Sequence, residues 1–178
     1  VGHIRGGLAQ VNILASLLFG GISGAAVADC AALGTVEVKA MRERGYPADF
    51  AAAVTAASSI VGPIFPPSIP LLIYAFVSNA SVGRLFLAGI MPALLLVAVL
   101  MIYVYIVSVR RNFPREKRAR FGEVARSAVD GFLTLLAPGI ILGAMLTGFT
   151  TASEAGVLAC IYALGLGLYY RTLNLDVL

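Results

Sequence analysis

The sequence predicts an all-α integral membrane protein: a polytopic helical bundle with one re-entrant helical hairpin and one transmembrane helix broken by proline. Three observations carry that prediction. The 178 residues are 60% hydrophobic and 12% charged, with a mean hydropathy of +0.93, whereas ordinary soluble domains are about 25% charged. The run from Phe50 to Gly83 has no charged residue and exceeds the roughly 20 apolar residues a bilayer crossing takes, yet contains Pro63, Pro66, Pro67 and Pro70. The run from Gly6 to Ala28 is likewise uncharged, and Gly20-Gly21-Ile22-Ser23-Gly24 interrupts it.

In chain order, 1–44 reads as the hairpin. Leu8 to Phe19 is its first arm, the glycine-rich stretch Gly20–Gly24 its tip, and Ala25 to Met41 its second arm. Each arm is short of a full span at 1.5 Å per residue; the competing reading is one kinked continuous span. The broken helix occupies 45–84. Gly45-Tyr46-Pro47 makes a turn and Asp49 is placed to cap the first half-helix. That half-helix fails near Val61, and the second restarts behind Ser68 as N-cap, with Pro70 in the first turn. Ser78-Asn79-Ala80-Ser81 ends it.

Residues 85–109 form the plainest span, Leu85 to Val109, with Pro92 inside it. Residues 110–128 form a basic loop: seven basic residues against two acidic ones between Arg110 and Arg126, in a chain of net charge +4. Such a loop beside a span is cytoplasmic by the positive-inside rule and is read so rather than as a nucleic-acid surface; Phe121 to Ser127 is expected as an amphipathic surface helix. Residues 129–178 supply a helix pair. The first, Gly131 to Gly148, bends at Pro138-Gly139. The second, Ala155 to Tyr170, follows a capping box at Thr151-Ala152-Ser153-Glu154, with Arg171 at its cytoplasmic end. With the hairpin entering and leaving on one side, every basic cluster except Arg84 falls on the cytoplasmic face. Val1-Gly2 at the start, with neither an initiator methionine nor a leader, reads as an internal piece of a longer chain.

An interior proline cannot donate to the carbonyl four residues back, so the carbonyls of Ser59, Gly62, Pro63 and Pro66 are expected to lack helical partners. Bare carbonyls at membrane depth survive only in protein or around a polar cavity, and broken helices at the midplane mark transport sites. The hairpin tip and the break would offer carbonyls and the hydroxyls of Ser23, Ser58 and Ser59 to a hard cation such as Na⁺. The arms starting near Ala25 and behind Ser68 at Ile69 would offer free N–H groups to a substrate carboxylate. Small-residue packing is the alternative role for the serines. Asp29, the one acid in the hairpin's apolar stretch, either tunes the cation site or carries a proton, or bonds Asn12 or the backbone near the tip. Glu154 is read as a helix cap, and His3 carries no assignment. Cys30 and Cys160 read as small buried hydrophobes without a disulfide.

Catalysis is not expected. Gly21-Ile22-Ser23-Gly24 matches the GxSG motif of intramembrane serine proteases, but no histidine follows Ser23 to act as base. No metal-protease, P-loop or dinucleotide motif is present either, so neither transition-metal chemistry nor ATP-driven transport is expected of this chain.

Three segments resemble one family. Gly20–Asp29 followed by Ala31-Ala32-Leu33-Gly34, then Ala56–Ser59 with Gly62–Ile69, and Thr151–Ala155 followed by Tyr162-Ala163-Leu164 are similar, in order and spacing, to segments of the large membrane subunit (DctM-like) of tripartite ATP-independent periplasmic (TRAP) transporters. Ala152 departs from the family's usual proline. The resemblance implies an elevator-type secondary transporter of the bacterial inner membrane, driven by Na⁺. It also implies a small membrane subunit, a periplasmic substrate-binding protein and an organic-acid cargo such as a C4-dicarboxylate or sialic acid. By motif it places Ser23, Gly24, Ser58, Ser59, Gly62 and Pro63 around a first Na⁺ site, and it implies a second, inverted half outside this sequence. Another elevator-type divalent-anion/Na⁺ symporter is the nearest alternative.

Overall fold

The computed structural model describes residues 4–114, 121–147 and 150–170, without the side chains of 121–130, 134, 135, 152 and 169. His3, Arg171 and the centre of the basic loop, 115–120, lie outside the described residues. Seven helices and no strand are found among the described residues, which is the all-α class expected. The chain divides into two compact units, Val1–Ala119 and Arg120–Leu178.

The first unit opens with α1 (Gly7–Ser23) and α2 (Ala26–Glu43), which pack on each other as a hairpin. A single kinked span would not bring these helices into contact. The reversal is tighter than the sequence suggests. Gly20 and Gly21 are helical, and only Gly24 and Ala25 leave the helix. Gly24 takes φ +61° and closes α1 through its N–H to the Gly20 carbonyl at 2.9 Å. A side chain resists that left-handed conformation and glycine does not.

The third helix, α3 (Ala48–Ser59), follows Pro47, whose extended backbone (φ −59°, ψ 141°) launches it. Asp49 is therefore not the N-cap but lies in the first turn, where its charge complements the helix dipole. The helix ends at Ser59, two residues before the expected failure point. α4 (Ile69–Ser78) begins behind Ser68, whose Oγ accepts the Leu71 N–H at 3.3 Å, with Pro70 in the first turn as expected. Asn79, at φ 54°, closes α4 in the left-handed conformation that asparagine tolerates.

α5 (Val82–Arg110) runs through Pro92 for 29 residues. Among the described residues it is the one helix long and apolar enough to cross a membrane unaided. Its buried positions, including Phe86, Gly89, Ala93, Val97, Val104 and Ser108, repeat at three to four residues, one helical face. That face meets α1, α3 and α4, while Leu87, Met91, Leu95, Ile102 and Tyr103 point outward. At the far end from the tips, Phe113 packs in a tilted arrangement against Phe50 (ring centroids 4.8 Å apart) and Tyr46 (5.1 Å), tying the end of α5 to the turn between α2 and α3.

The second unit is the pair α6 (Phe121–Leu146) and α7 (Ala152–Tyr169), packed on each other. The separate surface helix expected at Phe121–Ser127 is instead the start of α6. Between Ser127 and Pro138 no proline stands to interrupt it, so helical hydrogen bonding continues. Thr151 and Glu154 form the expected capping box. The Tyr162 hydroxyl donates to the Leu133 carbonyl at 2.6 Å, joining the two helices. Cys30 is half-buried and Cys160 exposed, so neither is the fully buried hydrophobe expected: Cys160 lies on an outward face of α7 beside exposed Val157, Ile161 and Leu164.

Candidate functional site

The hairpin tip and the break between α3 and α4 meet, and they do so backbone to backbone. The Gly24 carbonyl accepts the Ile69 N–H at 3.4 Å. A Cβ on Gly24 would lie 3.0 Å from the Pro67 carbonyl oxygen and 3.3 Å from the Ser68 Cα. A Cβ on Gly20 would lie 2.7 Å from the Gly62 Cα. Ser23, Gly24, Ala25, Gly62, Ser68 and Ile69 thus share one small region. It carries the C-terminal end of α1 and the N-terminal ends of α2 and α4. Pro63 joins it through its carbonyl, which accepts the buried Ser68 hydroxyl.

The carbonyls freed by proline are not all open. Ser59 accepts the Gly62 N–H at 3.2 Å, and Pro63 is met by Ser68. Among the described residues no donor reaches the carbonyls of Gly62 or Pro66, although both residues are buried. The helix N-termini differ from one another as well. At α4 the donors are taken: Ile69 by Gly24, Leu71 by the Ser68 hydroxyl, Leu72 by the Ser68 carbonyl, and Pro70 has none. The free donor expected at Ile69 is therefore engaged. At α2 the Ala25 N–H reaches Ser23 Oγ at 3.5 Å, while Ala26, Val27 and Ala28 find no partner among the described residues and stand at a partly open surface.

Ser58 and Ser59 sit below the tip on α3, and their hydroxyls are committed elsewhere. Ser58 Oγ lies 2.8 Å from Ser16 Oγ and donates towards the Thr55 carbonyl (3.1 Å) or Asn12 Oδ1 (3.3 Å). Asn12 Nδ2 donates to Thr55 Oγ1 at 2.7 Å, and Thr55 passes its proton to the Ala51 carbonyl. These form a buried polar seam between α1 and α3. Its sequence signal was available: Asn12 and Ser16 are four apart, Thr55 and Ser58 three apart, so each pair shares one helix face. Ser59 donates to the Thr55 carbonyl at 2.7 Å and lines a cavity of about 470 Å³ with Ala26, Val27, Cys30, Ala31 and Ala56. That cavity opens beside the unpaired N–H groups of α2.

Asp29 is fully buried in the first turn of α2, and neither carboxylate oxygen has a hydrogen-bond partner among the described residues. The expected bond to Asn12 or to nearby backbone is not formed. Asn12 is spent on Thr55 and Ser58. Ser16 is the one hydroxyl close to the carboxylate; its 2.8 Å contact with Ser58 can run in either direction, so its single proton serves Ser58 or turns towards Asp29.

The whole chain, residues 1–178, matches the family described as "Tripartite ATP-independent periplasmic transporter, DctM component". The chain belongs to this family. It is 48% identical over 177 residues to the sialic acid TRAP transporter large permease protein SiaM of Vibrio cholerae, covering 99% of this chain and 42% of that protein. It is 42% identical to the 2,3-diketo-L-gulonate TRAP transporter large permease protein YiaN of Escherichia coli, over 92% of this chain and 39% of that protein. It is 39% identical to the C4-dicarboxylate TRAP transporter large permease protein DctM of Pseudomonas aeruginosa, over 99% of this chain and 42% of that protein. The chain therefore spans about two fifths of the length of these relatives.

Proposed function

We propose that this DctM-family chain is part of a permease that imports an organic acid across the bacterial inner membrane, in exchange for the free energy of a Na⁺ gradient. The observation that carries the reading is the docking of the two tips through Gly24 and Ile69. It gathers helix ends of opposite polarity at one point, one set offering carbonyl oxygen and the other N–H.

The cation takes the carbonyl side. Oxygen ligands without competing donors suit a hard monovalent ion, and the Gly62 carbonyl meets that description where the break leaves the helix. Ser23, Gly24, Ser59 and Pro63 surround it, and Ser58 holds α3 in register through the seam. Asp29 supplies negative charge behind the tip. The carboxylate takes the N–H side, at the start of α2 beside Ala25, where three consecutive donors and the positive helix end remain available; Ser68 and Ile69 form its far wall. Relatives named for sialic acid, diketogulonate and C4-dicarboxylate have in common a carboxylate-bearing cargo, which supports this arrangement.

In this reading the cargo arrives from a periplasmic binding protein, a small membrane subunit accompanies the large one, and the hairpin and broken helix move together as the carrier in an elevator-type, multi-pass assembly. The test is uptake by vesicles containing a complete large permease with this chain, its small subunit and its binding protein. Uptake of a radiolabelled organic acid should require Na⁺ outside. Uptake that is indifferent to Na⁺ would refute the coupling.

A further inference from the structure

Several glycines inside the helices have room to spare. A Cβ at Gly131, Gly139, Gly143, Gly156 or Gly165 would meet nothing within 4 Å, and at Gly34 only a methyl of Thr55 at 3.8 Å. Two are different. On α1, a Cβ at Gly20 would lie 2.7 Å from the Gly62 Cα and 3.2 Å from its nitrogen; on α5, a Cβ at Gly89 would lie 2.6 Å from the Ile64 carbonyl oxygen. The tightest encounter of each is with backbone of the break between α3 and α4; at Gly89 a Leu71 methyl of α4 also stands 3.1 Å away. Neither glycine has the positive φ that would require it locally, and a helix-internal glycine costs about 1 kcal/mol against alanine. The close approach is what explains them.

We infer that Gly20 and Gly89 are positioning residues that clamp the broken segment between α1 and α5 and so set the geometry of the carbonyls around Gly62. This rests on the reading above, in which those carbonyls face the cation. Carbon atoms pack at about 3.5–4.0 Å, so a methyl at either position must displace the break by close to 1 Å. Binding sites hold their geometry within about 0.5 Å. The displacement therefore falls on cation affinity, while the helices themselves gain propensity from the alanine.

The experiment is a Na⁺ titration of organic-acid uptake by the complete, reconstituted transporter carrying Gly20→Ala or Gly89→Ala, with Gly34→Ala as control. Each clamp variant should raise the half-saturating Na⁺ concentration by about tenfold or more, keeping most of the maximal rate at saturating Na⁺, and the control should not shift. In detergent, the same variants should lose the rise in melting temperature that Na⁺ gives the unmodified protein, and the forced shift of backbone should also lower the Na⁺-free melting temperature. A half-saturating concentration that stays at the unmodified value in both variants overturns the inference, as does a drop in the Na⁺-free melting temperature with the Na⁺ response intact. If Gly20→Ala does not accumulate in the membrane, Gly62→Ala carries the test. Its Cβ would meet the Gly20 Cα at 3.4 Å, so a smaller shift in the same direction is expected, and none overturns the inference. An unmodified transporter that ignores Na⁺ refutes the coupling reading instead, and is told apart by that measurement alone.

Discussion

The carbonyl of Gly24 and the N–H of Ile69 join the hairpin tip to the start of α4 across 3.4 Å. The bond is long, and it sits where a side chain cannot. Gly24 has φ +61°, and its missing Cβ would be 3.1 Å from the Ile69 nitrogen.

Gly24→Ala therefore faces two penalties. The left-handed backbone costs about 1–2 kcal/mol for a residue with a Cβ, and the methyl pushes Pro67 and Ile69 away. The complete protein should lose about that much stability by thermal unfolding in detergent, and Na⁺-dependent uptake should fall at unchanged abundance. A variant that melts and transports like the unmodified protein would mean that the two tips separate freely.

The seam predicts a measurable coupling. Asn12 and Thr55 are fully buried and 2.7 Å apart. Hydrogen bonds between membrane helices average about 0.6 kcal/mol in double-mutant cycles and reach about 1.7. The cycle Asn12→Ala, Thr55→Ala should lie in the upper part of that range, because Asn12 also accepts from Ser58. Ser16→Ala should cost less than Asn12→Ala. Additive effects of Asn12 and Thr55 would show that the seam is not cooperative.

Much of this arrangement is legible in the sequence, since local chemistry decides it. Ser68 with Pro70, and Thr151 with Glu154, announce helix starts wherever they occur, and four prolines in an uncharged run announce a break. The rest depends on what lies opposite. Gly20 and Gly21 read as a turn because glycine permits one, but Gly20 stays helical and serves contact with Gly62, 42 positions away. Ser58 reads as a ligand because it is polar in an apolar run. Only the packing of α1 on α3 shows that Ser16 and Asn12 occupy its hydroxyl. Asp29 reads as bonded because a buried acid ordinarily is, and the structure leaves it with only the Ser16 hydroxyl nearby.

That poorly partnered carboxylate yields a prediction of its own. A buried charge without partners is destabilising, and its retention fits a residue that favours a nearby cation. Asp29→Asn keeps the shape and removes the charge. The Na⁺-free protein should melt at a higher temperature, while the half-saturating Na⁺ concentration for uptake should rise. Stability gained at the expense of function is the usual pattern at strained sites. A variant that loses stability without Na⁺ would assign Asp29 to the fold.

The start of α7 offers a test independent of the tips. Thr151 Oγ1 accepts the Glu154 N–H at 3.4 Å, and Glu154 Oε2 accepts the Thr151 N–H at 2.7 Å and its hydroxyl at 3.0 Å. Both residues are exposed, so packing contributes little and the cap itself decides the outcome. Thr151→Ala removes one half of the box and should cost about 1 kcal/mol. The loss should appear as faster hydrogen exchange confined to the first turn of α7. Glu154→Gln preserves an acceptor at the same place and should exchange nearly as slowly as the unmodified protein, losing only the attraction of its charge for the helix N-terminus. Equal protection in Thr151→Ala and the unmodified protein would mean that contacts with α6, through Tyr162 and Leu133, fix the start of α7 without its cap.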